Sequence, residues 1–105
     1  MDSKKVKKCR LEWEGLRARG GVSARELSAL AEKLGLEIVH SGTHVNWGSQ
    51  DLIFRGLSVF QITSHRGDVN KITKNRILNS MEGYLIRLEK EHEKGEETNE
   101  EEFDD

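Results

Sequence analysis

Apolar residues recur at two distinct spacings along this chain, and the switch between them outlines a fold. Val6, Cys9, Trp13 and Leu16 stand three or four apart within residues 4–19, among Lys4, Lys5, Lys7, Lys8, Arg10, Arg17 and Arg19. That spacing predicts a short helix with one apolar stripe. Its length is marginal for a free helix, so it has to dock to persist. The favoured reading is a packing extension held by Trp13; the other is a basic arm for nucleic acid. Gly20-Gly21 then breaks the pattern as a joint. Ser23 opens a second helix with Glu26 three residues on, the spacing at which each side chain can satisfy the other's free backbone N–H. Leu27, Leu30, Ala31 and Leu34 form its apolar face, and Gly35 supplies the stop.

From residue 36 the period shortens. Leu36-Glu37-Ile38-Val39-His40 and Thr43-His44-Val45-Asn46-Trp47 read as two strands joined by a tight turn at Ser41-Gly42. Residues 48–56 mix turn chemistry with Leu52-Ile53-Phe54, which could extend a strand or cap the core. Residues 57–63 alternate as a third strand, with Leu57, Val59, Gln61 and Thr63 on one face and Ser58, Phe60 and Ile62 on the other. Short connections predict an antiparallel meander. After a polar loop at residues 64–68, Thr73 is placed as the N-cap of a final helix with Ile77, Leu78, Met81, Tyr84, Leu85 and Leu88 on its apolar face. The expected fold is α+β, a two-layer α-β-β-β-α sandwich with a three-stranded antiparallel sheet and an extra N-terminal helix. The expected organisation is a basic extension over residues 1–22, the sandwich over 23–88 and an acidic, disordered tail over 89–105.

Composition changes this picture mainly through charge. The net charge of −2 conceals a basic body and an acidic end. Residues 1–88 carry fifteen Lys and Arg against nine Asp and Glu, whereas residues 89–105 carry two Lys against ten acids. A basic body invites a polyanionic partner, and the acidic end either screens it, imitates it or simply aids solubility. Phe103 is the one large apolar residue of that end, too little to offset the entropy of ordering it. Cys9 is the single cysteine, so no intrachain disulfide forms. No apolar run nears the ~20 residues of a membrane span, and no leader pattern opens the chain. The expectation is a soluble cytoplasmic protein without cofactor or metal.

Three places could carry chemistry. His44 stands just past the Ser41-Gly42 turn, where an imidazole can take or give a proton near neutral pH. Lys71, Lys74 and Arg76 crowd the start of the last helix, the end where the helix dipole favours anions. A phosphate docked on that end would account for them; an undirected basic surface accounts for them equally well. His65 and Arg66 lie in the polar loop before it. No histidine or carboxylate spacing suggests a metal site.

Glu26-Leu27, Leu30, Gly35-Leu36-Glu37-Ile38-Val39-His40-Ser41-Gly42-Thr43-His44-Val45, then Ile62-Thr63-Ser64-His65-Arg66-Gly67, then Ile72-Thr73 and Arg76-Ile77-Leu78 together resemble the HicA (YcfA-like) toxin family, of double-stranded-RNA-binding-domain-like fold. The resemblance covers about residues 24–85. Ser64 stands where that family commonly has proline, residues 48–56 make a long loop, and the N-terminal segment and acidic end are additions. The resemblance implies a metal-independent RNA endonuclease acting on mRNA, neutralised by a HicB-like antitoxin, with the catalytic histidine at His44 and Thr43 beside it on the RNA. A histidine with an ordinary pKa of about 6.5 suits removal of a ribose 2′-OH proton. Lys71, Lys74 and Arg66 are then candidates to offset phosphate charge, and His65 is a candidate acid or a loop-structural residue. Two other classes stay open: a non-catalytic RNA-binding module using Lys71, Lys74, Arg76 and Arg66, and an adaptor that binds through its acidic end.

Overall fold

The computed structural model describes the backbone of residues 2–41, 45–62 and 67–104, with side chains for residues 2–39, 45–62 and 67–93. The elements are α1 (Ser3–Ala18), α2 (Ala24–Lys33), β1 (Glu37–Ser41), β2 (Val45–Gly48), a 3-10 turn (Leu52–Phe54), β3 (Phe60–Gln61) and α3 (Lys71–Asp104). The strands pair antiparallel in the order β1-β2-β3, which makes the domain α+β as the alternation of periods predicts.

The N-terminal helix belongs to the core. Val6, Cys9, Trp13 and Leu16 are all buried, and α1 lies along α3 with its other flank on α2. Trp13 fixes the depth of that packing, because its indole N–H donates to the Leu78 carbonyl at 2.7 Å. A buried indole needs such a partner, and here it comes from the α3 backbone itself. The Gly20-Gly21 joint is pinned rather than loose: the Val69 N–H donates to the Val22 carbonyl at 2.8 Å, and Ser23 bridges Asp68. Helix α2 starts and stops as its sequence dictates. Ser23 and Glu26 form the reciprocal capping box, and Gly35 takes a φ of +86° that any side chain would resist. The Leu36 N–H then closes on the Ala31 carbonyl at 3.1 Å.

The strands differ from the sequence reading in their limits. Ser41 pairs with Val45, so it is the last residue of β1 and not part of the turn; residues 42–44 lie outside the described residues. Ile38 faces Trp47 and His40 faces Asn46, leaving Val39 as the extra residue of a β-bulge. The bulge breaks the expected alternation and leaves Ile38 and Val39 both exposed. The third strand is only Phe60–Gln61, because Leu57 closes a turn onto the Phe54 carbonyl before pairing can begin. From Val59 to Ile62 its facing is as predicted, with Phe60 and Ile62 buried and Val59 and Gln61 exposed, whereas Ser58 is exposed and Leu57 packs against the core. Leu52-Ile53-Phe54 caps the core instead of extending a strand: Phe54 packs edge-on against Tyr84 at 5.0 Å. At position 48 a Cβ would sit 2.7 Å from Val59 Cγ1, so any residue but glycine would force that side chain to shift.

Helix α3 is the spine. Ile77, Leu78, Met81, Tyr84, Leu85 and Leu88 are buried, in line with the predicted stripe. Its cap is Asn70, not Thr73: the Asn70 side-chain oxygen accepts from the Thr73 N–H at 2.8 Å, and the helix begins at Lys71. The sequence reading put the cap one turn late because either polar side chain can cap. At the far end the helix runs on to Asp104, well past Leu88 where the apolar period stops. Glu89 is tied to Arg10, so the folded body reaches past residue 88. Once nucleated on packed turns, a run rich in Glu and Lys propagates helix at little further cost. Among the described residues no helix is long and apolar enough to cross a membrane.

Candidate nucleic-acid interface

Helices α1 and α3 run antiparallel, so the last turn of α1 meets the first turns of α3. Four sequence-predicted site residues, Thr43, His44, His65 and Arg66, lie outside the described residues. The other three begin α3, and they do not share one environment. Lys71 and Arg76 are exposed. Lys74 is only 4 % exposed, and its ammonium donates to the carbonyls of Arg17 at 3.0 Å and Arg19 at 2.7 Å. Lys74 is thus removed from the phosphate-binding set. It sits on the α1-facing side of the helix, where the unpaired carbonyls at the end of α1 need donors. Nor are all the N–H groups at this end free for an anion, since Asn70 already accepts from that of Thr73.

The structure adds residues the sequence reading left out. Arg17, on α1, lies over the Trp13 ring at 5.3 Å, and its Nη1 donates to Asn79 Oδ1 at 2.8 Å. Asn79 follows Arg76 by three residues, so the two are neighbours on one face of α3. Ile72, Asn75, Arg76, Asn79 and Ser80 line an open depression of about 630 Å³. Ile72 is 76 % exposed there, an apolar side chain with no core role. Arg19 completes the cluster and is engaged by Glu26, whose carboxyl is held below its ordinary 4.5 by hydrogen bonds from Arg19 and then Ser23. Sequence offered one usable signal, Arg17 four residues after Trp13 on a docking helix. Which residues of α3 it would meet depends on antiparallel packing, which periodicity does not encode.

The opposite end of the same helix pair is built differently. Arg10 spans Glu82 at 3.0 Å and Glu89 at 2.6 Å while lying over Trp13 at 5.2 Å. Those two carboxylates hold its guanidinium above its ordinary range, Glu89 most strongly. Lys33 is held by both oxygens of Glu12, at 2.9 and 3.1 Å. Cys9 is buried, and desolvation, followed by Glu12, pushes its thiol up, which leaves it a core residue with low thiolate character. Among the described residues no group of three His, Cys, Asp or Glu side chains gathers as a metal site would require.

Comparison of the chain with protein-family models, with curated proteins and with solved structures finds no match.

Proposed function

We propose that this protein binds RNA through the end where α1 meets α3, and cuts it as a HicA-like, metal-independent endonuclease kept in check by a HicB-like partner in the cytoplasm. One observation carries the binding half. Lys71, Arg76 and Arg17 are exposed cations at one end of the molecule, none of them paired with an acid among the described residues. Arg10 and Lys33 are matched with carboxylates, and Lys4, Lys5, Lys7 and Lys8 make a second exposed basic run at the start of α1. Cations left open on one face suit the phosphodiester backbone, which supplies most of the affinity in non-specific nucleic-acid binding.

The cutting half rests on the resemblance around Gly42-Thr43-His44. In that reading His44 takes the proton of a ribose 2′-OH, the oxygen attacks the adjacent phosphorus, and the 5′-oxygen leaves with a proton from an acid for which His65 is the candidate. Arg66 and Lys71 offset the charge that builds on the phosphate. The second reading, a module that binds RNA without cutting it, draws on the same exposed cations and needs no histidine. His44→Ala separates the two. In the nuclease reading the variant unfolds at the parental temperature and binds RNA, yet neither cleaves a test RNA nor arrests growth. Cleavage at the parental rate removes His44 from the chemistry; absence of cleavage by the parent protein leaves the binding module.

A further inference from the structure

We infer that the RNA-binding face is composite, with Arg17 of the added N-terminal helix as a phosphate contact and buried Lys74 as the residue that positions it. The inference rests on the RNA-binding reading above and adds to it a second element, α1, and a division of labour between two lysines.

Arg17 is the best prepared cation on this face. Its guanidinium is oriented by the Trp13 ring beneath it and by one hydrogen bond to Asn79. A planar fork fixed on one edge keeps further N–H donors for a phosphate, and holding it still lowers the ordering cost of binding. Arg76, three residues from Asn79 on α3, supplies the second cation across the depression that Ile72, Asn75 and Ser80 also line. An arginine fork from each of two helices, with amide side chains beside them, offers two bidentate contacts to a phosphate backbone.

Lys74 makes this assembly possible. Its Nζ joins the carbonyls of Arg17 and Arg19 to the first turns of α3. Those carbonyls belong to the end of α1, where backbone acceptors lack helical partners. The buried ammonium thereby sets where Arg17 and Arg19 emerge relative to Arg76. A cation placed here for stability alone would serve equally well if Arg17 were any other residue.

The test measures binding of a short RNA hairpin across a salt series on the His44→Ala background, where the probe is not consumed. Arg17→Gln should fold normally, lower affinity several-fold at low salt and reduce the salt slope by about one unit. Arg17→Lys should restore the slope but only part of the affinity, because a point charge replaces the fork. Lys74→Met should reduce both quantities in a protein that keeps Arg17, and combining it with Arg17→Gln should add little. An unchanged slope in Arg17→Gln overturns the contact. Independent, additive losses overturn the positioning role, as does a Lys74→Met protein that binds at the parental slope. Should Lys74→Met not fold, Arg19→Gln against Arg17→Gln decides, with the larger loss required at Arg17. Failure of the His44→Ala parent to bind the hairpin at any salt overturns the RNA reading itself, a result distinct from all of these.

Discussion

The two ends of the α1–α3 pair solve the same problem in opposite ways. At one end Arg10 meets Glu82 and Glu89, and charge answers charge. At the other, Lys74 meets the backbone carbonyls of Arg17 and Arg19, and Arg17 meets the amide of Asn79, so the cations are held by neutral oxygens. Trp13 sits between the ends with an arginine over it on each side. Neutral partners fix a cation in place without cancelling its field. A cation held this way keeps its charge toward solvent, whereas Arg10 is neutralised by its two acids and the start of α1 is left to the exposed Lys4, Lys5, Lys7 and Lys8.

The acidic end follows the same division. About 27 Å of helix separates Lys71 from Glu89 at 1.5 Å per residue. While α3 stays helical, its acids lie away from the cationic end and cannot cover it.

Trp13→Ala breaks the comparison most severely, because both ends lean on that ring. Loss of a large buried aromatic costs about 3–5 kcal/mol, and the Leu78 carbonyl loses its indole donor as well. In a domain of this size that should unfold much of the population near physiological temperature. Calorimetry or a urea titration checks it. A midpoint within a few degrees of the parent would mean that α1 is an appendage after all.

Arg10→Gln tests one end alone. Removal of the guanidinium leaves Glu82 and Glu89 near each other without a cation, and it strips the stack from Trp13. Both carboxylates are about one-third exposed, which screens the loss to roughly 1–2 kcal/mol. The loss should shrink as salt rises, and RNA binding should keep its slope, since Arg10 is already matched by two acids. A change in slope as large as that of Arg17→Gln would erase the distinction between the ends.

Local rules made the helices and their caps legible. The Ser23–Glu26 box, the Gly35 stop and the stripes of all three helices follow from spacing, and the structure contains them. Non-local choices were not legible. Nothing in the alternation of residues 36–47 announces a bulge at Val39, which depends on how β1 is drawn across β2. Asn70 and Thr73 are both competent caps, and only the path of the chain from Val69, bonded to Val22, selects Asn70. Lys74 misled for the same reason. Charge spacing shows a cation near a helix start, but its inward turn is set by α1, a partner more than fifty residues away in sequence. Arg76 escapes that fate because it falls on another side of the helix, and Lys71 because it is the first residue of α3 and stays exposed.

The smallest effect expected is at the junction of α1 and α2, where Glu26 serves both its own helix cap and Arg19. Its carboxyl is held below 4.5, chiefly by the Arg19 hydrogen bond and next by that from the Ser23 backbone. A depressed carboxyl means that the unfolded chain binds more protons than the folded one in this range. The contribution is therefore fully present above about pH 4.5 and fades as pH falls through the lower folded value. The Glu26 side chain is 39 % exposed, so the change should be slight and should diminish with salt. The measurement is the difference in unfolding midpoint between the parent and Glu26→Gln from neutral pH down through the acid range. The two curves should lie apart at neutral pH and converge on the acid side, where the parental carboxyl carries a proton and resembles the amide. Curves that stay parallel would show that the cap works through shape alone. The Arg19 charge would then be as open to solvent as that of Arg17, enlarging the cationic end by one residue.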